Sequence, residues 1–107
     1  MEYELSRISK LKNIENWSVW KFQVRIVLNA NAAWDVVTGE SVQPAALAAG
    51  ANDQTVREHA KNVAAWKKLD ATAQRIIVTT IGEQPTLHII HCETAKAMWD
   101  KLVSVYE

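Results

Sequence analysis

The chain has few of the residues from which cross-linked or metal-centred folds are built. Cysteine occurs once, at Cys92, which excludes an intramolecular disulfide and a zinc knuckle. No apolar run approaches the roughly 20 residues of a membrane span, and the charged N-terminus lacks the apolar stretch of a secretory signal. We therefore expect an intracellular, reduced and soluble domain with no membrane partner.

The chain also has no surplus of either charge, because 12 basic residues balance 12 acidic ones. Proteins that hold nucleic acid through their own field are normally basic, since neutralising phosphates supplies most of that affinity. A local basic patch stays possible, but the overall charge does not argue for one. Neutrality also lowers the repulsion between copies, which suits a protein that packs against itself.

Catalytic motifs are missing as well. The sequence contains no G-x-S-x-G, no phosphate-binding glycine loop and no D-T/S-G protease motif. Its carboxylates lie within mixed-charge stretches such as residues 57–58 and 67–70, which indicate solvated helix surface. We expect no enzymatic activity, no catalytic residues, no cofactor and no small-molecule substrate.

One short segment carries metal-ligand side chains. On a helix His88, His91 and Cys92 would share a face, but zinc needs a fourth ligand or a water and second-shell support. His91 and Cys92 are adjacent, so their side chains would point about 100° apart on a helix, which is unsuited to a nucleophile and its base. We interpret the segment as a partly buried helix end and expect no metal site.

What the sequence does contain is helical periodicity. The spacing predicts a helix from Trp17, a short one over 32–37 with Gly39 as C-cap, and a long one from about 52 to 82. A short helix over 87–91 follows a turn at 82–85, and Thr94 starts the last helix. The fold class is therefore all-α, a compact bundle of about five helices in one domain, 1–107. Residues 1–15 form either a short helix or an extended arm, and 39–54 form a long loop.

Five tryptophans stand out in a chain of this size. Exposed rings can stack on nucleic-acid bases, but such platforms need neighbouring basic residues in excess, and these rings fall on the apolar stripes. We therefore assign them to the structural core. The predicted core residues are Trp17, Trp20, Leu28, Trp34, Trp66, Ile77, Trp99 and Leu102.

A second apolar row lies along the helix that is predicted from Trp17. Val19, Phe22 and Ile26 lie on a different side of this helix from its main apolar stripe. That stripe consists of Trp17, Trp20, Val24, Val27 and Leu28. A helix that is apolar on two sides is either central to the core or covered by a partner. Both interpretations stay open at this point. If a partner covers the row, the three residues form a self-assembly surface, helped by the 39–54 loop.

Four segments in order resemble the Gag polyprotein of copia-type retrotransposons. Residues 16–21 (NWSVWK) resemble its N-W/Y-x-x-W-K opening, and 34–39 (WDVVTG) its W-x-V-V-x-G segment. Residues 66–73 (WKKLDATA) are similar to W-x-x-x-D-x-x-A. Residues 94–102 (TAKAMWDKL), with Tyr106-Glu107, are similar to T-A-K-E-M-W-D-x-L…Y-E. One departure is that Asn13-Ile14-Glu15 replaces the glycine that often precedes the first motif.

The resemblance implies the N-terminal lobe of a capsid, in a Gag without a separate matrix domain. Such Gag proteins form cytoplasmic virus-like particles around the RNA of the element, and a second helical lobe and often a zinc knuckle follow the first. We therefore expect an isolated lobe that is a weak homo-oligomer alone, forms shells in full Gag, and meets RNA mainly through downstream regions. Two alternatives are a domesticated protein- or peptide-binding adaptor and a lobe that binds RNA itself.

Overall fold

The computed structural model of the chain describes residues 2–107, with side chains from residue 4 onward. Helices dominate, no β-strand forms within that range, and the prediction of an all-α bundle is confirmed. The described residues form six α-helices where about five were predicted. They are α1 (Glu2–Ser6), α2 (Trp17–Ala30), α3 (Trp34–Thr38), α4 (Asp53–Thr79), α5 (Glu83–Ile89) and α6 (Ala95–Tyr106), with a 3-10 turn at Ile14–Asn16 before α2.

The helix ends follow local capping chemistry. The side chain of Asn52 accepts a hydrogen bond from the Thr55 amide at 2.8 Å, so Asn52 is the N-cap of α4. Thr94 caps α6 in the same way, so this helix begins at Ala95, one residue after the predicted start at Thr94. Gly39 ends α3 with φ of 88°, the left-handed conformation that glycine adopts without strain, and this prediction is also confirmed.

The start of α5 corrects the sequence prediction. A turn was predicted at residues 82–85 and a helix over 87–91, but α5 begins at Glu83 with Gly82 as its N-cap and ends at Ile89. Pro85 lies in the first turn of the helix, where the amide that proline lacks would have no intrahelical partner. The proline therefore belongs to the beginning of this helix and does not interrupt it.

The N-terminal segment combines the two conformations between which the sequence could not choose. After α1 the chain extends, and Leu11 forms an isolated bridge with Ile81: its amide donates to the Thr80 carbonyl at 3.0 Å, and its carbonyl accepts from the Gly82 amide at 2.8 Å. Leu5, Ile8 and Leu11 are buried. The segment is thus a helix followed by an arm laid on the core. The first residue of the predicted arm lies outside the described residues.

The core lies between α2, α3, α6 and the second part of α4. The structure places six of the predicted core residues inside it: Trp17, Trp20, Leu28, Ile77, Trp99 and Leu102. Trp34 is half-buried and packs against this core. Trp66, in contrast, lies outside the core cluster, half-buried, and its indole Nε1 donates to the carbonyl of Ser41 at 3.1 Å. Trp66 therefore holds the long loop against α4 and does not fill the centre of the bundle.

The long helix α4 has two unlike ends. We call residues 53–69 the loop end and residues 70–79 the core end. The core end contributes Asp70, Ala73, Ile76 and Ile77 to the buried set, whereas no residue of the loop end is buried. The loop end is lined by the irregular segment between α3 and α4. His59 Nε2 lies 2.7 Å from the Ala45 carbonyl and, with the Trp66 bond, ties that segment to the helix.

Candidate self-assembly surface

The inner face of α2 is held by aromatic packing. The Trp20 ring centroid lies 5.5 Å from that of Trp17 and 5.7 Å from that of Trp99, and both pairs are stacked. Trp34 meets Trp99 edge-on at 5.4 Å. Large rings in offset or edge contact stabilise a core beyond their simple area. One side of α2 is therefore fixed rigidly in the bundle.

Trp20 is also held by hydrogen bonds at the end of α4. Its Nε1 donates to the Thr80 carbonyl at 2.9 Å, and the Thr80 hydroxyl lies 3.1 Å away. The same carbonyl accepts from the Leu11 amide, so one buried oxygen joins α2, α4 and the N-terminal arm. Thr80 could not be identified from the sequence, because a threonine in a β-branched run looks like any other helix residue.

The outer face of α2 carries the second apolar row. Val19, Phe22 and Ile26 are 59%, 58% and 49% exposed, and their spacing places them together on the side away from the core. Within the chain they are solvent-facing, so the structure does not place them in the core. Large apolar side chains grouped on a rigid helix are typical of a surface that a partner covers.

A shallow groove of about 320 Å³ runs beside this row. Phe22 forms one wall, and Arg25 and Lys21 provide positive charge. Lys21 forms an ion pair with Glu107, whose carboxylate also accepts from Trp17 Nε1 at 3.3 Å. The row is thus apolar at its centre and charged along one edge.

Two hydrogen bonds hold the pKa of the Glu107 carboxyl below its usual range. The bond from Lys21 contributes most, and the bond from Trp17 comes second. Because folding lowers this pKa, the ion pair favours the folded chain above the usual carboxyl range. That contribution is lost as the pH falls through the lowered value. Burial raises the pKa of the neighbouring Tyr106 hydroxyl.

The four sequence motifs meet in space and hold the fold together. The first motif contacts the last, because Trp17 stacks on Tyr106 at 5.6 Å between ring centroids and Lys21 pairs with Glu107. In the third motif Asp70 accepts from the Ala95 amide at 2.9 Å and from Gln74 Nε2 at 2.7 Å. The Asp70 carboxylate therefore anchors the beginning of α6 to α4. The sequence pattern did not reveal this role, because Asp70 lies in a mixed-charge stretch that is typical of solvated helix surface.

The predicted helix-end segment at residues 88–92 has structural contacts. The His88 ring meets Tyr106 edge-on at 6.1 Å, and Cys92 packs partly against the core. Among residues 2–107, no three His, Cys, Asp or Glu side chains are grouped so that they could hold a metal ion. Within the same range, no helix combines the length and apolar character needed to cross a membrane.

The chain is a small helical module whose motif residues pack against one another and whose helix α2 has an apolar outer face. The chain matches the family model described as the gag polypeptide of LTR copia-type over residues 24–107. This range covers most of the chain, so the chain belongs to the copia-type LTR Gag polypeptide family, as the motif resemblance predicted. The first motif, at residues 16–21, precedes the matched range. No curated protein and no solved structure matches the chain.

Proposed function

We propose that this chain is a capsid-type structural domain of Gag that self-assembles into cytoplasmic virus-like particles around retrotransposon RNA. Membership of the copia-type Gag family supports a structural role. The self-assembly, the capsid arrangement, the packaging of RNA and the cytoplasmic location are the parts that we add. The proposed role requires neither catalysis nor a cofactor.

The outer row of α2, which consists of Val19, Phe22 and Ile26, carries the proposal. Covering apolar surface releases roughly 25 cal/mol for each Å² removed from water, so three half-exposed apolar side chains favour association. Their helix is fixed by the tryptophan packing behind it, so little further order is lost when a partner binds.

A contact centred on three side chains is small. Interfaces below about 1,200 Å² are typical of weak or transient pairs. We therefore expect the isolated chain to be a monomer or a weak dimer. In full Gag the tethering of many copies raises the effective concentration, and weak contacts then suffice to close a shell.

Introducing a charge into the row tests the proposal in full Gag. Phe22→Asp and Ile26→Asp each place a carboxylate where an apolar contact should form, so we expect particle yield to fall at least about tenfold, as a loss of 1.4 kcal/mol per contact would produce. Particles are counted by electron microscopy and sedimentation. Thermal melts of the 107-residue variants check that the fold persists, as expected for substitutions of exposed residues.

Ile90→Asp provides the matched control. Ile90 is 61% exposed at the end of α5, so the substitution introduces the same charge on a different element. We expect this variant to form particles normally. Normal particles from stably folded Phe22→Asp Gag, or an equal loss in Ile90→Asp Gag, would contradict the assignment of the α2 row.

A further inference from the structure

The solvent side of α4 carries a row of cations. Arg57, Lys61 and Lys68 are separated by four and seven residues, which places them on one side of the helix, and Lys67 lies next to that side. All four are exposed. At 1.5 Å per residue, the row from Arg57 to Lys68 is about 16 Å long. We call these four residues the α4 basic row.

Acids of its own helix lie beside the basic row only near its beginning, where Asp53 precedes Arg57 by four residues and Glu58 follows it. The only carboxylate of α4 after Glu58 is Asp70, and Asp70 is 7% exposed and bound to the Ala95 amide and Gln74. Its charge faces the beginning of α6, where it complements the positive end of that helix. The other α4 carboxylates, Asp53 and Glu58, lie in its first two turns.

None of the four cations forms an ion pair within the part of the chain that the structure describes. Between the four cations no bulky side chain covers the helix, because the exposed residues Ala60 and Ala64 carry only a methyl group. A chain-like ligand can therefore approach the helix closely along the row. The chain is neutral overall, but α4 has no exposed carboxylate after Glu58, so its solvent side is positive around Lys67 and Lys68.

We propose that the α4 basic row binds the sugar-phosphate backbone of single-stranded RNA. A linear array of unpaired cations along one helix fits a linear polyanion, whose phosphates such side chains contact without reading sequence. An anionic membrane is the weaker fit, because membrane-surface helices insert large apolar side chains, and between Arg57 and Lys68 this side of α4 carries only the small apolar side chains of Ala60 and Ala64. The proposal rests on the Gag role above and adds an RNA contact within this lobe.

The test measures binding of the 107-residue chain to a fluorescent single-stranded RNA by anisotropy over a range of salt concentrations. For single strands, the slope of log K against log salt is about −0.7 per phosphate contact. Replacing two contacting lysines should therefore make the slope less steep by about 1.4. We expect Lys61→Gln/Lys68→Gln to bind about tenfold more weakly at roughly 50 mM salt. The control Lys12→Gln/Lys101→Gln removes the same charge from exposed lysines outside α4 and should bind like the unmodified chain.

Two further measurements separate the possible outcomes. Vesicles of phosphatidylcholine and phosphatidylserine replace RNA in a parallel titration, and vesicle binding without RNA binding would overturn the proposal in favour of a membrane. Absence of RNA binding at low salt, or equal weakening in both double variants, would also overturn it. Phe22→Asp separates RNA binding from assembly. If the 107-residue variant still binds RNA while full Gag with the same substitution forms no particles, the proposals for the α2 row and for the α4 basic row both stand. If particles are normal and RNA binding depends on the row, only the α2 assignment fails.

Discussion

The two ends of α4 belong to one continuous helix but have opposite relations to the rest of the molecule. The core end packs among α2, α3 and α6 and buries Ile76 and Ile77 completely. The loop end has no buried residue and is lined by an irregular segment that is attached through Trp66 and His59. Helical periodicity runs through both ends without a break.

The difference shows that a periodic apolar stripe identifies a helix but not what covers it. The apolar stripe of α4 begins at Val56, which is 47% exposed, and reaches Ile76 and Ile77, which are completely buried. At the loop end the covering segment is rich in alanine and contributes little bulk, so the side chains beneath it stay half-exposed. We therefore expect stability to come from the core end and local order to be lower at the loop end.

The largest expected effect comes from one matched pair of truncations. Ile77→Ala at the core end leaves a cavity and should lower the free energy of unfolding by about 2–5 kcal/mol. Val56→Ala at the loop end removes a half-exposed side chain and should change it by less than about 0.5 kcal/mol. Urea denaturation measures both. Similar losses in the two variants would contradict the comparison.

A smaller effect is expected at the boundary between the two ends. Asp70→Ala leaves the buried Ala95 amide without its acceptor, so the free energy of unfolding should fall by about 1–3 kcal/mol. Asp53→Ala, in the exposed first turn of α4, is the control and should cost less than about 1 kcal/mol. Urea denaturation decides here too, and an Asp70→Ala variant as stable as Asp53→Ala would show that the carboxylate does not anchor α6.

The smallest effect on stability concerns the attachment of the loop. Trp66→Phe keeps the aromatic ring but removes the donor to the Ser41 carbonyl, so we expect a loss of about 0.5–1.5 kcal/mol. The freed segment should be cut faster by elastase, within residues 42–50. Mass spectrometry of the fragments locates the cut. The control is Trp34→Phe, which makes the same replacement at a ring that packs edge-on against Trp99. Equal cutting in both variants would contradict the role of Trp66.

Much of the fold could be predicted because its determinants are local. The α2 stripe, Gly39 and Thr94 report backbone preferences that tertiary contacts then reinforce. The exposure of the Val19–Phe22–Ile26 row could not be decided, since the same pattern fits a central helix and a surface one. The role of Asp70 was hidden because its partner, the Ala95 amide, lies 25 residues away and leaves no mark in the sequence.

The distribution of the tryptophans has a spectroscopic consequence. Trp17, Trp20, Trp34 and Trp99 form one connected group with ring centroids 5.4–6.3 Å apart, and at such separations excited states couple and transfer energy between rings. Trp66 lies apart from this group, under the long loop. The chain therefore contains two optical reporters. Circular dichroism of the coupled rings follows the core end of α4, and the emission of Trp66 follows its loop end.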